Sequence, residues 1–348
     1  MIAYDRLVIA TGARSRRTGL PGEDAENFFT LKDLQDAIGI KDYVNRHRPQ
    51  RAAVLGAGYI GLEMAEAFVR RGVDTELYAR GDRPGSNLEP EISEMILEEL
   101  QSHGVVFRGR QFPTALRRGP SGRIVGLETS RGSRDTDLVL CALGVVPNTG
   151  LLEEAGIRPG QTGAVRTDGR QATEDPEIFA AGDCCEVHHR VLERPVYLPL
   201  GDVANKQGRV AGENAAGGES FFHGVVGSQC FKLFSLQVAS TGVTEQAAER
   251  YGLKVDTQTI RGSSAVHYMP GAAPLFLKLV FEKNSGRILG AHMAGRDGVA
   301  RRINTLAVAV QAGLTVEDVA RMDFAYAPHF SPALDPILVA AEQALKRV

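Results

Sequence analysis

The sequence has few cysteines, and no spacing pattern connects them. Its 348 residues contain four, Cys141, Cys184, Cys185 and Cys230, without a CxxC or CxxxxC pair and without the His and Cys spacing of a zinc site. The sequence therefore predicts neither a disulfide framework nor a metal site. Cys184 and Cys185 are neighbours, which leaves a redox-active pair as one hypothesis, whereas packing as small apolar side chains is the more common outcome.

The sequence also lacks an excess of charge and a long apolar run. Lys and Arg number 40 against 42 Asp and Glu, a formal net charge of −2, so nothing favours nucleic acid or an anionic membrane as the main partner. No apolar segment reaches the roughly 20 residues that span a bilayer, and the first residues do not resemble a signal peptide. We therefore expect no nucleic-acid partner, no membrane partner and a cytoplasmic location.

The most informative segment is a glycine-rich turn after an apolar run. Residues 51–55 have the continuous apolar character of a buried strand, and the residues after the glycines repeat at helical spacing. At such a turn Gly56 permits the tight bend, Gly58 lets the backbone approach a pyrophosphate, and Gly61 lets helix and strand pack. The helix N-terminus adds free N–H groups for phosphates. The segment predicts a dinucleotide pocket.

The residues after the next predicted strand indicate which nicotinamide nucleotide is used. An NAD pocket usually has an acidic residue about 20 residues after the glycines, whereas a 2′-phosphate requires a cation. The strand at 75–78 leads instead into Ala79 and Arg80, and Arg83 follows. NADPH is therefore favoured, and NADH stays possible. The alternative is that both arginines are solvated loop charges.

The rest of the chain alternates buried strands with helices and then changes to antiparallel signals. This alternation is typical of an α/β fold. Predicted strands lie at 6–10, 105–107, 124–127, 138–141 and 178–183, and a hairpin is predicted from the strands at 275–281 and 287–292. A loop and a mixed helical stretch fill 21–48. Further helices are predicted at 90–104, 203–216, 299–312 and 335–346, and Asp202 is the predicted cap of the helix at 203–216.

Four motifs in a fixed order carry a family resemblance. They lie at residues 4–13, 56–61, 144–148 and 173–183. Together they resemble the FAD-dependent pyridine nucleotide-disulfide oxidoreductases. Residues 204–214 and 326–332 are most similar to the coenzyme A-disulfide reductase and NADH oxidase branch of that family.

The resemblance implies a fold and its domain boundaries. The expected fold is α/β, with a Rossmann-like NAD(P)-binding domain inserted in a partial FAD-binding domain and followed by an α+β dimerisation domain. The expected segments are 1–30 and 144–225 for the FAD-binding domain, 31–143 for the NAD(P)-binding domain and 226–348 for the dimerisation domain.

Family members begin with an FAD-binding unit that also carries the redox-active cysteine. By resemblance this sequence starts just before the last part of that domain, and none of its cysteines matches the catalytic one. We therefore expect a chain that lacks its first FAD half, either as a truncated product or with a partner that supplies the rest.

The resemblance assigns roles around the glycine turn, where the nicotinamide cofactor would bind. Tyr59 would cover the flavin until that cofactor arrives, and Glu63, a candidate catalytic residue, would lie near both rings. The alternative is that both are ordinary first-turn residues, with Glu63 favoured there by the helix dipole. The cofactor-binding candidates of this part are Gly56, Gly58, Tyr59, Ile60, Gly61, Arg80 and Arg83.

The other motifs would hold the flavin. Asp183 would accept a hydrogen bond from the ribityl chain, and the helix after it would direct its positive end, through the backbone of Ala204 and Asn205, at the flavin pyrimidine. The remaining cofactor-binding candidates are Thr11, Gly12, Gly144, Gly182, Asp183, Ala204 and Asn205.

Tyr326 is the second candidate catalytic residue. In the resembled branch its Tyr-Ala-Pro segment reaches across a twofold dimer toward the partner's flavin, which implies a homodimer and a proton-donor role. His329 stands where the branch usually has a proline, and a general-acid role for it stays open.

The function implied is an FAD flavoprotein oxidoreductase. It would take electrons from NADPH or NADH and pass them to a small-molecule disulfide, similar to coenzyme A disulfide, or to dioxygen. One alternative is a non-catalytic truncated module that binds nucleotide and dimerises. Another is a ferredoxin- or rubredoxin-type reductase, against which the Tyr326 segment argues.

Overall fold

The described chain divides into two compact units. The computed structural model describes residues 3–348, so the first two residues of the predicted 1–30 segment lie outside the described residues. One unit joins residues 3–14 to 145–227, and the other joins 15–144 to 228–348. They are called the split unit and the main unit below, and their elements are numbered in chain order.

The first half of the main unit is a five-stranded parallel sheet with helices beside it. The strand order is β3-β10-β4-β5-β6, and central β4 pairs with β10 and β5 through Leu138 opposite Ala52 and Arg51 opposite Asp74. The elements are β3 (Phe28–Thr30), α1 (Leu34–His47), β4 (Arg51–Leu55), α2 (Tyr59–Val69), β5 (Asp74–Tyr78), α3 (Pro90–Ser102), β6 (Val106–Arg108) and β10 (Leu138–Cys141). A separate antiparallel sheet contains β7 (Pro113–Arg118), β8 (Ile124–Thr129) and β9 (Gly132–Asp135).

The second half of the main unit is an antiparallel sheet packed on helices. Its strand order is β15-β16-β19-β18-β17. The predicted hairpin is confirmed, since β18 and β19 pair antiparallel around the Asn284–Gly286 turn. The elements are β15 (Gln229–Leu233), β16 (Leu236–Gly242), α6 (Glu245–Arg250), β17 (Val255–Ser263), β18 (Pro274–Glu282), β19 (Ile288–Gly295), α7 (Val299–Ala312), α8 (Val316–Ala320) and α9 (Pro336–Leu345).

One apolar core runs through both halves of the main unit. Ile92, Ile96 and Leu100 form the buried face of α3, as their helical spacing predicts, and Pro90 occupies its first turn. The same cluster includes Phe276 of β18 and Leu236 of β16. The packing of α3 on the antiparallel sheet therefore fixes that sheet beside the parallel one.

The split unit is built around a short parallel pair. In it β1 (Leu7–Ile9) and β12 (Ile178–Ala180) pair in register, and α5 (Gly201–Ala215) packs on both. The other elements are β2 (Ala13–Ser15), β11 (Val145–Pro147), α4 (Gly150–Glu154), β13 (Val187–His189) and β14 (Arg194–Val196).

Three local predictions from the sequence are wrong. Asp202 does not cap the helix at 203–216, because Leu200 is the N-cap and Asp202 lies in the first turn with its carboxylate 3.2 Å from Lys206 Nζ. Leu200 and Val203 pack in one apolar cluster, which starts the helix earlier. The 21–48 stretch contains a strand, β3, whose three residues are defined by pairing with distant β10. The strand expected at 105–107 is present, and only its bounds are wrong, since β6 runs from Val106 to Arg108.

Within residues 3–348, no helix combines the length and the apolar character needed to cross a membrane.

Candidate dinucleotide sites

Gly56 ends the central strand of the main unit in a turn that only glycine fits. Its φ is +114°, and a Cβ there would lie 2.4 Å from the carbonyl oxygen of Ala142. Its amide donates to Tyr78 O at 2.8 Å, which holds the turn against the end of β5. Residues with a side chain strongly disfavour this backbone region, so the turn depends on glycine.

Gly58 and Gly61 differ in what surrounds them. A Cβ on Gly61 would lie 1.9 Å from Gly56 O, so the start of α2 packs directly on the turn. A Cβ on Gly58 would meet nothing within 4 Å, and α2 has no side-chain cap at this residue. The helix therefore presents its first N–H groups, with their positive partial charge, at an open position.

A cavity of about 440 Å³ opens at this turn, and its lining is cationic. No Asp or Glu is among the residues that the structure shows around it, and Arg80 lies with its guanidinium carbon 4.8 Å from the centre of the Phe112 ring. Such a lining suits phosphate groups. The residues that matter for charge and shape are Arg16, Arg17, Gly56, Gly58, Arg80, Arg83 and Phe112.

A second cavity, of about 560 Å³, shares Gly81, Arg83 and Ser86 with the first. Its lining contains four carboxylate residues, namely Asp82, Glu89, Glu245 and Glu249. Carboxylates repel phosphates, so the smaller, cationic cavity is the candidate nucleotide site.

Tyr59, Ile60 and Glu63 occupy the first turns of α2, directly after the glycines. Tyr59 and Glu63 are exposed, and Ile60 is half-buried. Partial burial of the carboxyl raises the pKa of Glu63, the like charge of Glu66 adds to this rise, and the Lys232 amide opposes it. Glu63 therefore takes up a proton more readily than an ordinary glutamate, which suits a group that moves a proton.

In the split unit, hydrogen bonds join two of the sequence motifs. Thr11 Oγ1 donates to Asn148 O at 2.7 Å, Asn148 Nδ2 donates to Thr11 O at 2.9 Å, and the Asn148 amide donates to Gly12 O at 2.9 Å. Thr11 and Gly12 thus form one rigid loop with the residues that follow β11. Gly144, which precedes β11, belongs to the main unit, where its carbonyl accepts the Arg16 amide.

Asp183 lies where β12 ends, beside the start of α5. Gly182 has φ +86°, and a Cβ on it would touch Ala204 Cβ at 3.7 Å, so the structure brings Gly182, Asp183 and Ala204 together. The Asp183 side chain is half-buried, and its carbonyl accepts the Tyr197 hydroxyl at 2.8 Å. A bare glycine backbone beside a carboxylate at a strand end fits the hydroxyl-bearing chain of a flavin nucleotide.

The start of α5 modifies the expected role of Ala204 and Asn205. Because the helix begins at Gly201, the Ala204 amide already donates to Leu200 O at 2.9 Å. The free N–H groups of a helix are those of its first turn, here from Gly201 to Val203. The positive end of the α5 dipole still lies at this N-terminus. Cofactor binding by Ala204 and Asn205 stays a prediction.

The sequence reasoning missed Gln207. Its buried side chain accepts the Gly182 amide at 3.0 Å and donates to Glu186 O at 3.4 Å, so it holds the loop after β12 on α5. The sequence did contain a signal, because Gln207 is a polar residue on the helix face opposite Lys206 and Arg209. A side-chain amide that is buried there needs hydrogen-bond partners.

Tyr326 and His329 lie in the segment between α8 and α9 of the main unit, and both are exposed. The segment is held by the backbone, since Val266 donates to Pro328 O at 3.0 Å and Arg302 Nη2 donates to Phe330 O at 3.1 Å. The phenol and the imidazole are therefore presented to solvent from a fixed loop.

All four cysteines are free thiols, and three of them are buried. Cys184 and Cys185 lie after Asp183 with their sulfur atoms 3.7 Å apart. Their mutual hydrogen bond lowers the pKa of Cys184 to about 6 and raises that of Cys185. Both pack as small core side chains, and a redox role stays a hypothesis.

The fold and the two candidate sites together define a class of protein. A parallel sheet with a glycine turn and a cationic cavity, a second strand-end site with a carboxylate, and a separate antiparallel sheet are the parts of a two-nucleotide oxidoreductase. Comparison with known proteins gives the family. The model of the pyridine nucleotide-disulphide oxidoreductases matches residues 1–208, and that of their dimerisation domain matches residues 228–336.

The chain belongs to the pyridine nucleotide-disulphide oxidoreductase family, whose members are FAD-dependent and use NAD(P)H. This confirms the predicted family, the mixed α/β fold and the class of enzyme.

Three similar proteins illustrate the family. The NAD(P)H coenzyme A polysulfide/persulfide reductase of Pyrococcus horikoshii is 35% identical over 97% of this chain and 75% of its own length. The structure of an NAD-dependent persulfide reductase from A. fulgidus has a TM-score of 0.95 and 38% identity, over 99% of this chain and 64% of that one. An engineered NADPH oxidase, made from the Lactobacillus brevis water-forming NADH oxidase and bound to NADPH, has a TM-score of 0.92 and 29% identity, over 99% and 76% of the two chains.

The coverage of these relatives is uneven. The chain covers 75% of the length of the Pyrococcus protein. It covers 64%, which is less than two thirds, of the length of the A. fulgidus chain.

Proposed function

We propose that this chain takes a hydride from NADPH, in preference to NADH, and passes electrons through FAD to a sulfur–sulfur bond or to dioxygen. The observation that carries the nucleotide preference is the cavity at the Gly56 turn, which is lined by four arginines and by no described carboxylate. The adenosine 2′-phosphate of NADPH adds charge that this lining would stabilise, whereas NADH offers only the ribose hydroxyl.

Two of the three relatives support NADPH as the donor, since one is named for NAD(P)H and one is bound to NADPH, whereas the A. fulgidus reductase is named NAD-dependent. The engineered NADPH oxidase carries an aspartate-to-alanine change and two changes to arginine, and the present chain has Ala79 and Arg80 where β5 ends. The other two relatives are named for persulfide or polysulfide reduction, and the oxidase is named as water-forming, which points to dioxygen as an acceptor. Coenzyme A-bound sulfur and dioxygen are thus the two acceptors to test.

The site residues keep the roles that the sequence suggested. Gly56 to Gly61 and the arginines would hold the nicotinamide nucleotide, and Thr11, Gly12 and Asp183 would hold the flavin. Glu63 and Tyr326 are proposed to hold or move protons, Glu63 because its pKa is raised and Tyr326 because its phenol is presented to solvent. FAD, when bound, supplies the two-electron chemistry.

We also propose the domain roles. Residues 1–30 and 144–225 would serve FAD, 31–143 the nicotinamide nucleotide and 226–348 dimerisation; the match of the dimerisation model to residues 228–336 supports the last of these and a homodimer. Four free thiols suit a cytoplasmic setting, where thiols stay reduced.

The test compares nucleotide affinities in wild type and an Arg80→Ala variant. Loss of a charge-assisted contact to phosphate weakens binding by roughly 10- to 100-fold, so the variant is expected to lose NADPH affinity by that factor and to keep its NADH affinity. Titration calorimetry with NADPH, NADH, 2′-phospho-ADP and ADP measures this.

Arg71→Ala is the matched control, because the Arg71 guanidinium donates to Asn45 Oδ1 just beyond the far end of α2 and Arg71 is not among the residues that line the cavity. Equal affinity of the wild type for NADPH and NADH would contradict the proposed preference. Anaerobic and aerobic assays of NADPH oxidation, with and without coenzyme A disulfide, then distinguish the two acceptors.

A further inference from the structure

Phe112 belongs to none of the motifs, yet it forms part of the wall of the cationic cavity. A backbone bridge between Ala79 and Gln111, with the Gln111 amide 3.1 Å from Ala79 O, brings its segment beside the loop after β5. The Arg80 guanidinium carbon lies 4.8 Å from the centre of the Phe112 ring. The position of Arg80 is therefore tied to an aromatic residue 32 positions later in the sequence.

The ring itself has a fixed support. Phe112 packs against the buried cluster that contains Leu55, Tyr78 and Leu116 and that includes residues of the central strands of the parallel sheet. The ring thus packs on the core cluster and also lies against the guanidinium. A cation stacked on an anchored ring has less freedom than one on a solvated loop.

The stack leaves the hydrogen-bond donors of Arg80 available. Within residues 3–348, no hydrogen bond or ion pair involves the Arg80 guanidinium. Arg17, another cation of the cavity, already donates to Glu23 O at 3.0 Å and pairs with the Glu23 carboxylate. Arg16 and Arg83, the other two cations of the cavity, have no aromatic platform among the described contacts. Arg80 is therefore the cation that is both oriented and free to donate.

We infer that Phe112 is a positioning residue for nucleotide specificity: it holds the Arg80 guanidinium ready for the 2′-phosphate of NADPH. The inference rests on the proposed use of the cavity by NADPH. Because a pre-oriented side chain loses less freedom on binding, the ring raises affinity for the phosphorylated nucleotide without touching its phosphate.

A double-mutant cycle tests the inference. Phe112→Leu is expected to weaken binding of NADPH and of 2′-phospho-ADP by about two- to five-fold and to leave NADH and ADP affinity unchanged. In the Arg80→Ala background, the same substitution is expected to have no effect on NADPH. Phe112→Tyr keeps the ring face and is expected to retain wild-type affinity.

A second double-mutant cycle, which combines Phe112→Leu with Arg83→Ala, is the control. In the Arg83→Ala background, Phe112→Leu is expected to weaken NADPH binding as much as it does in the wild-type background. Thermal unfolding of each variant shows whether it is folded, and if Phe112→Leu is not, Phe112→Met, which also removes the ring face, replaces it in both cycles.

The two proposals fail in different ways. If Arg80→Ala leaves NADPH affinity unchanged, the proposed nucleotide preference is wrong. If Arg80→Ala weakens NADPH binding, but Phe112→Leu has no effect or acts equally with and without Arg80, Phe112 does not position the arginine and the inference is overturned.

Discussion

At the scale of single residues, three glycines of one motif have three different physical tasks. Gly56 is required by its positive φ and Gly61 by its contact with Gly56 O, so both serve the fold of the turn. Gly58 has ordinary φ and open space in front of it, in the wall of the cationic cavity. Its missing side chain therefore leaves room for a ligand rather than for the protein.

This difference gives a prediction for two alanine variants. Gly61→Ala is expected to lower the free energy of unfolding by about 2 kcal/mol or more, as overpacking does in a rigid site. Gly58→Ala is expected to keep wild-type stability, since its Cβ meets no protein atom within 4 Å, and to lose NADPH affinity. Denaturant unfolding and calorimetric titration measure the two effects. A Gly58→Ala variant that binds NADPH normally would show that the pyrophosphate does not approach this turn.

At the scale of elements, buried polar groups determine how helices, strands and turns are joined. Lys278 of β18 is buried and forms ion pairs with Glu89 before α3, with Glu91 in α3 and with Glu245 in α6. Burial alone would lower the pKa of Lys278, but hydrogen bonds to Glu245 and Glu89 raise it. The ammonium therefore stays charged, and it connects the parallel and antiparallel halves of the main unit.

The hairpin of β13 and β14 gives a pH prediction. Buried His189 accepts the Val191 and Leu192 amides at its Nδ1, and burial, followed by the charge of His188, lowers its pKa from 6.5 to about 4. The unfolded state then binds more protons than the native state, so the His189 contribution to stability is present above pH 6.5 and is lost as the pH falls toward 4.

Over that window wild type is expected to lose roughly 3 kcal/mol more stability than His189→Asn, at about 1.4 kcal/mol per pKa unit. The free energy of unfolding, measured by denaturant titration at several pH values, checks this. His267→Asn, at an exposed position of the main unit, serves as the control and is expected to follow the wild-type curve closely. Parallel curves for wild type and His189→Asn would contradict the assigned cause.

At the scale of the whole molecule, the antiparallel half of the main unit presents apolar surface. Several large side chains within residues 228–336 are more than half exposed. Large exposed apolar groups often mark an interaction surface. The side chains are Tyr268, Val308, Tyr326, Phe330 and Leu334.

The proposed homodimer can be tested on α7. Val308 is 66% exposed on that helix, and a charge there is costly if a second copy covers it. Val308→Glu is expected to shift a wild-type dimer toward monomer, whereas Val125→Glu, at an exposed valine of β8, is expected to leave the dimer intact. Size-exclusion chromatography with light scattering measures the mass. A monomeric wild type would contradict the homodimer.

The glycine turn shows how much of the site local sequence predicts. Residues 51–61 fold as expected, because β4 is a continuous apolar run and Gly56 needs only its own backbone and the next strand. Strand β3 was missed, because its three residues are a strand only through pairing with β10, about 110 positions later. The cap at Asp202 was misjudged, because packing of Leu200 rather than side-chain chemistry set the start of α5.

The sequence by itself determined the family, the α/β alternation and the presence of Ala79 and Arg80, rather than a carboxylate, directly after β5, since each depends on residues that are neighbours in the chain. Only the tertiary structure decided that Phe112 supports Arg80, that Asn148 closes the loop of Thr11, and that Gln207 holds Gly182. The reason is physical: these contacts join segments up to 137 positions apart, and a buried polar or stacked pair forms only after the apolar core has brought its segments together.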